Sequence, residues 1–73
     1  MFNIRKFKAA IALSGLSTQE IAKQMGISTP TLYRKMSGES DFYRKEMLDF
    51  CRIVGAKDLV GIFFDQEVTG TQQ

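Results

Sequence analysis

Apolar residues recur at helical spacing in five short segments of the chain, and a glycine follows the first four. Glycine at that place is typical of the left-handed residue that ends a helix. No segment alternates strictly between apolar and polar positions, as a half-buried strand would. The pattern predicts an all-α fold, with helices over about residues 4–14, 18–25, 29–37, 44–54 and 57–64.

Polar residues mark where most of these helices begin. Asn3 and Ser28 are candidate N-caps, and Ser17 with Glu20 three residues later forms a capping box. The fourth helix has a weaker start signal. Tyr43 stands at the expected position but is a poor capping residue by type, and Asp41 is the alternative N-cap. In the fifth helix, Asp58 lies near the N-terminus, where the helix dipole favours a carboxylate.

The second and third helices are separated by so few residues that they must form a tight corner. Ala22 lies four residues before Gly26, where a small side chain lets two helix backbones approach. Gly26 supplies the backbone conformation of the turn, and Ile21, Met25 and Leu32 close a small core beneath it. Two short helices joined in this way predict a helix-turn-helix.

The segment from Thr18 to Ser37, TQEIAKQMGISTPTLYRKMS, resembles the lambda-repressor-like (XRE-like) helix-turn-helix family of Cro and repressor type. In that family a turn glycine follows an alanine by four positions. The similarity extends over about residues 2–64, where the chain resembles small repressor and Cro-like proteins of temperate phages. It implies one compact five-helix DNA-binding domain over 1–64, with the motif at 18–37, and leaves 65–73 as a flexible polar tail.

The resemblance implies a transcriptional regulator that binds a specific double-stranded DNA operator, with helix 29–37 in the major groove. Helical geometry supports an outward face on that helix. If Leu32 points inward, steps of about 100° per residue place Tyr33 and Arg34 outward. Arg34 is suited to guanine because its guanidinium can donate two hydrogen bonds to O6 and N7. The candidate base contacts are Thr29, Pro30, Thr31, Tyr33 and Arg34.

The resemblance also implies contacts to the DNA backbone from the starts of the second and third helices and from the loop after the third. The candidates are Thr18, Gln19, Ser28, Lys35, Ser37, Arg44 and Lys45. Lys35 departs from the family pattern, which often has an aliphatic residue there, so Met36 is expected to take over the packing. Lys35 and Lys45 could equally be solvated surface residues, and Tyr33 could pack against the fourth helix instead of touching DNA.

Composition excludes several other functions. The 73 residues are 44% hydrophobic, enough for one domain with a modest core. The chain has no histidine and one cysteine, which excludes zinc fingers, an internal disulfide and histidine-based catalysis. With no nucleophile–base pair and no phosphate-cradling glycine loop, we expect no enzyme, catalytic residue, cofactor, metal or small-molecule substrate. No apolar run approaches the roughly 20 residues that span a bilayer, so we expect a cytoplasmic protein, in the cytoplasm or nucleoid of a bacterial host.

The net charge of +2 hides an asymmetry between the two parts of the chain. Residues 1–45 carry eight basic and three acidic side chains, a net charge of +5, whereas residues 46–73 carry two and five, a net charge of −3. The basic part could face a polyanion while the acidic part faces away from it. A chance imbalance on a solvated surface is the alternative.

The end of the fifth helix is more apolar than one buried face requires. Val60, Phe63 and Phe64 are therefore candidates for a patch that binds a second copy or a larger phage repressor. The alternative is that Phe64 folds back onto the core. The patch also supports a second functional hypothesis, an antirepressor or modulator that keeps the fold but binds a repressor protein. Cys51 is expected to be a small core residue and not a redox sensor.

Overall fold

The computed structural model describes residues 1–65, which form five helices. These are α1 (Ile4–Ser14), α2 (Thr18–Met25), α3 (Thr29–Ser37), α4 (Arg44–Val54) and α5 (Leu59–Phe63). No strand occurs among these residues, so the all-α prediction is confirmed. The last helix is shorter than the predicted 57–64, because the Asp58 side chain caps it and accepts a hydrogen bond from the Gly61 N–H at 3.0 Å. Of the tail predicted at 65–73, all but Asp65 lies outside the described residues.

Capping interactions set the ends of the first four helices. Asn3, Ser17 and Ser28 are the N-caps of α1, α2 and α3, as predicted, and each side chain accepts a backbone N–H from the first turn. Tyr43, not Asp41, is the N-cap of α4. Its backbone N–H donates to the Glu46 side chain at 2.8 Å, so the carboxylate three residues later compensates for a residue that cannot cap.

A cluster of five phenylalanine rings holds the helices together. Phe7 of α1 and Phe50 of α4 are fully buried and stack with ring centroids 4.0 Å apart. Phe2, Phe42 and Phe63 surround them at centroid distances of 5.1 to 6.1 Å. Because the rings come from the N-terminal segment, α1, the α3–α4 loop, α4 and α5, this cluster connects elements distant in sequence. Phe63 is only 4% exposed, so its predicted place in a surface patch is wrong.

The two ends of the described chain meet beside α5. The Asn3 N–H donates to the Ile62 carbonyl at 2.7 Å, and the Asp65 N–H donates to the Met1 carbonyl at 2.9 Å. α1 packs against α4 and α5, and α2 packs against α3 and α4. This arrangement leaves α3 at one side of the bundle, supported from beneath by α2. Within the described part, every helix is too short or too polar to cross a lipid bilayer.

Candidate nucleic-acid interface

A three-residue corner over 26–28 joins α2 to α3. Gly26 ends α2 in the left-handed conformation, with φ of 78°, and the next N–H, from Ile27, donates to the Ala22 carbonyl at 3.0 Å. A Cβ added at Gly26 would meet no atom within 4 Å. Glycine is therefore favoured at the corner by backbone conformation and not by lack of space. Ala22, only 1% exposed, lies buried beneath the corner.

The corner turns one face of α3 outward. Leu32 is fully buried, which makes it the inward-facing residue of the helix, as the sequence predicts. The residues on the opposite face are exposed, namely Pro30, Tyr33, Arg34 and Ser37. The Arg34 guanidinium donates to the Thr31 hydroxyl at 3.3 Å. Its resting position is therefore along the exposed surface of α3, directed towards the N-terminal turn.

The remaining candidates at the helix starts differ in their exposure to solvent. Thr18, Thr29 and Thr31 are half-buried, whereas Gln19 and Ser28 are exposed. The Ser28 hydroxyl accepts the Thr31 N–H at 3.2 Å and donates to the Thr31 hydroxyl at 2.8 Å. Since both hydrogen-bonding functions of Ser28 serve the first turn of α3, its side chain organises the helix start.

Tyr33 lies beside α1 and not beside α4, the helix that the sequence offers as its packing partner. It is 53% exposed and lines two adjoining shallow grooves between α1 and α3, of about 200 and 310 Å³, together with Lys8 and Met36. Thr18 borders the second groove. Lys8 was missing from the predicted contacts. Its exposed position on α1 could be inferred from helical spacing, but its proximity to Tyr33 depends on how α1 packs.

Lys35 does not occupy the surface position expected of a phosphate contact. Its side chain is 6% exposed and its ammonium lies 3.0 Å from a Glu46 carboxylate oxygen. The ammonium also donates to the Asp41 carbonyl at 2.8 Å and lies 4.5 Å from the centre of the Tyr43 ring. We therefore remove Lys35 from the candidate phosphate contacts. Met36 is buried as expected, so both side chains pack inward while α3 stays helical to Ser37.

The basic residues that open α4 remain at the surface. Lys45 is 84% exposed and pairs with Asp49 at 2.7 Å. The hydrogen bond from Lys45 lowers the pKa of Asp49, despite an opposing contribution from desolvation. Arg44 is exposed and borders a groove between α4 and α5, away from the α1–α3 grooves. The structure therefore does not group Arg44 with Tyr33 and Lys8.

The α4–α5 groove has a volume of about 340 Å³ and a largely apolar lining. It is lined by Arg44, Met47, Leu48, Leu59 and Phe64. Leu48 and Phe64 are 55% and 47% exposed, and neighbouring Val60 is 65% exposed. Phe64 therefore remains accessible and does not fold into the core. Leu48 was not among the predicted patch residues, because only the packing of α5 beside α4 brings it near Phe64.

The described residues contain no group of three side chains able to hold a metal ion. Cys51 is 8% exposed, and burial raises the pKa of its thiol, with a smaller contribution from the Asp58 charge. A buried thiol of raised pKa is a poor nucleophile, which fits the expected core role. No protein-family model matches the chain, and neither a curated protein nor a solved structure matches it significantly.

Proposed function

We propose that this chain is a sequence-specific DNA-binding transcriptional regulator of the Cro and repressor type, acting in the cytoplasm of a bacterial host. In this proposal α2 and α3 are the helix-turn-helix and α3 lies in the major groove of an operator. The observation that carries it is the Gly26 corner, which leaves the face of α3 bearing Tyr33 and Arg34 exposed. No acidic residue lies on α3 itself, so that face can approach a polyanion.

Each exposed group on α3 has a chemical role in this proposal. Arg34 reads guanine through paired hydrogen bonds, while Thr29 and Thr31 offer hydroxyls and methyls to base edges. Pro30 makes only apolar contact, and Tyr33 contacts the sugar-phosphate backbone near Lys8. Further contacts to the DNA backbone fix the position of the protein along the duplex and carry no sequence information. We assign these to the side chains of Thr18, Gln19, Ser37, Arg44 and Lys45, and add Lys8. Ser28 takes part through the helix start that it organises and not through its hydroxyl, which donates to Thr31.

The first test is selection of bound duplexes from random DNA, followed by Arg34→Ala. We expect the variant to lose about 1–3 kcal/mol of discrimination at one base pair, because the bidentate contact is lost. Lys57→Ala is the matched control, since it removes an exposed charge from the loop before α5. Failure of the wild-type chain to bind any duplex at low salt would refute the proposal, as would unchanged selectivity in Arg34→Ala.

We propose that the α4–α5 groove binds a second copy of the chain. In a two-fold dimer, Phe64 of each copy can enter the groove of the other, as an isologous interface requires. The exposed side chains of Leu48, Val60 and Phe64 supply the apolar area that such an interface buries. A two-fold dimer that binds one operator needs its two recognition helices on half-sites roughly 34 Å apart.

Phe64→Ser tests this pairing by sedimentation equilibrium. We expect the wild-type mass to rise with concentration towards that of a dimer and the variant to remain monomeric, because a polar side chain cannot fill the apolar groove. Leu13→Ser is the control, since Leu13 is 89% exposed on α1 and does not line the groove. A wild-type chain that stays monomeric at every concentration would contradict the pairing.

The same groove favours one alternative function, an antirepressor that binds a larger phage repressor in place of a second copy. Leu48, Val60 and Phe64 would then contact the repressor. The two functions differ in their tests. An antirepressor would yield no selected DNA, and its binding to a purified phage repressor would be lost in Phe64→Ser but kept in Arg34→Ala.

A further inference from the structure

A buried ammonium lies immediately behind the exposed face of α3. We define the Lys35 cluster as Lys35, the Asp41 carbonyl, the Tyr43 ring and Glu46. One Glu46 oxygen lies 3.0 Å from the Lys35 ammonium and also accepts the Tyr43 N–H at 2.8 Å. A single carboxylate oxygen therefore connects the last turn of α3 to the first turn of α4.

The interactions of the Lys35 cluster require a particular geometry of donor and acceptor, whereas apolar packing does not. Replacing a buried ion pair by apolar residues of similar volume is often neutral or stabilising, so stability alone gives little reason for a lysine here. The hydrogen bond to the Asp41 carbonyl and the ion pair with Glu46 instead specify where α3 lies relative to the loop and α4. Two backbone hydrogen bonds also hold the loop against the end of α3. The Arg34 carbonyl accepts the Glu39 N–H at 2.9 Å and the Ser40 N–H at 3.3 Å.

We propose that Lys35 is a positioning residue that fixes the orientation of α3 relative to the start of α4. It thereby sets the spacing between Arg34, which reads bases, and the backbone contacts at Arg44 and Lys45. This inference rests on the DNA-binding function proposed above. Because phosphate contacts determine the register in which base contacts are made, a loosened α3–α4 orientation reduces sequence discrimination more than general affinity for DNA.

The test is the double variant Lys35→Met/Glu46→Gln, which removes both charges and leaves an acceptor for the Tyr43 N–H. We expect the unfolding midpoint to stay near wild type, since neither partner is left as an unpaired buried charge. The affinity ratio between the best selected duplex and a scrambled duplex should fall by about tenfold or more, while affinity for the scrambled duplex changes little. An unchanged ratio would overturn the proposal.

Arg52→Met is the control, because it breaks an exposed ion pair within α4 and leaves Asp49 paired with Lys45. We expect its affinity ratio to equal that of wild type. Should the double variant fail to fold, Lys35→Met alone replaces it, since it removes the more deeply buried charge and leaves Glu46 bonded to the Tyr43 N–H. A loss of the ratio is again expected, and a wild-type ratio would overturn the proposal.

A second readout uses the free protein and separates this inference from the DNA-binding proposal. Residual dipolar couplings measured by NMR should show α3 reoriented relative to α4 in Lys35→Met/Glu46→Gln, with faster amide exchange at Glu39 and Ser40. The Ile27 amide, bonded across the Gly26 corner, should be unaffected. Couplings and exchange equal to wild type would overturn the positioning role. If the selection from random DNA yields no bound duplex, the DNA-binding proposal is refuted. The NMR measurement on the free protein then decides on its own whether Lys35 positions α3.

Discussion

Phe7→Ala is expected to leave much of the protein unfolded, with a loss of about 3–5 kcal/mol in the free energy of unfolding. Phe7 is fully buried and its ring stacks on Phe50 with centroids 4.0 Å apart. It also contacts the rings of Phe2, Phe42 and Phe63. Alanine would leave a cavity where these five rings meet. Below about 70–80 residues, one core rarely supplies more than about 3–5 kcal/mol, so the loss is comparable to the whole stability.

Urea unfolding followed by circular dichroism measures the loss, and Cys51 provides an independent probe. Its thiol is buried and has a raised pKa, so it should react slowly with a disulfide reagent in the native state and quickly in Phe7→Ala. Leu13→Ala is the control on the same helix, because Leu13 is 89% exposed. If Phe7→Ala kept the wild-type urea midpoint and slow Cys51 labelling, the five-ring core would be wrong.

Helix boundaries were predictable from the sequence where the signals are local. The bounds of α2 and α3 depend on Ser17, Glu20 and Ser28, whose hydrogen bonds span three residues. Gly26 and Gly38 end these helices in the left-handed conformation. Such interactions occur within a single helical turn, so their residue spacing is visible in the sequence. The outward direction of Arg34 followed from the same local geometry.

The features that sequence reasoning missed depend on contacts between distant elements. By type, Lys35 resembles a surface residue, but the Glu46 carboxylate and the Asp41 carbonyl draw its ammonium inward. The sequence predicts Tyr33 beside α4 or DNA, yet Tyr33 and Lys8 line one groove between α3 and α1. Helical periodicity gives the face of one helix and not the identity of its neighbour. Side-chain placement at the interface therefore required the packed structure.

DNA binding is expected to weaken steeply with salt, and Lys8 should account for part of that slope. Phosphate contacts by Lys8, Arg44 and Lys45 would give a slope of log affinity against log salt of about −2.7 for one copy. That slope corresponds to roughly a 40-fold loss of affinity from about 50 to about 200 mM salt. Two copies on two half-sites would double the slope to about −5.4.

Lys8→Met tests the groove between α1 and α3 as part of this surface. We expect the slope to become shallower by about 1 per bound copy, uniformly across DNA sequences, because a phosphate contact carries no sequence information. Arg34→Ala, by contrast, should change discrimination at one base pair. Fluorescence anisotropy titrations of selected and scrambled duplexes over a series of salt concentrations measure both effects, with Lys57→Met as the control for loss of one charge. A slope unchanged by Lys8→Met would show that DNA does not reach the α1 side of Tyr33, and the proposed docking of α3 would then have to be rotated away from α1.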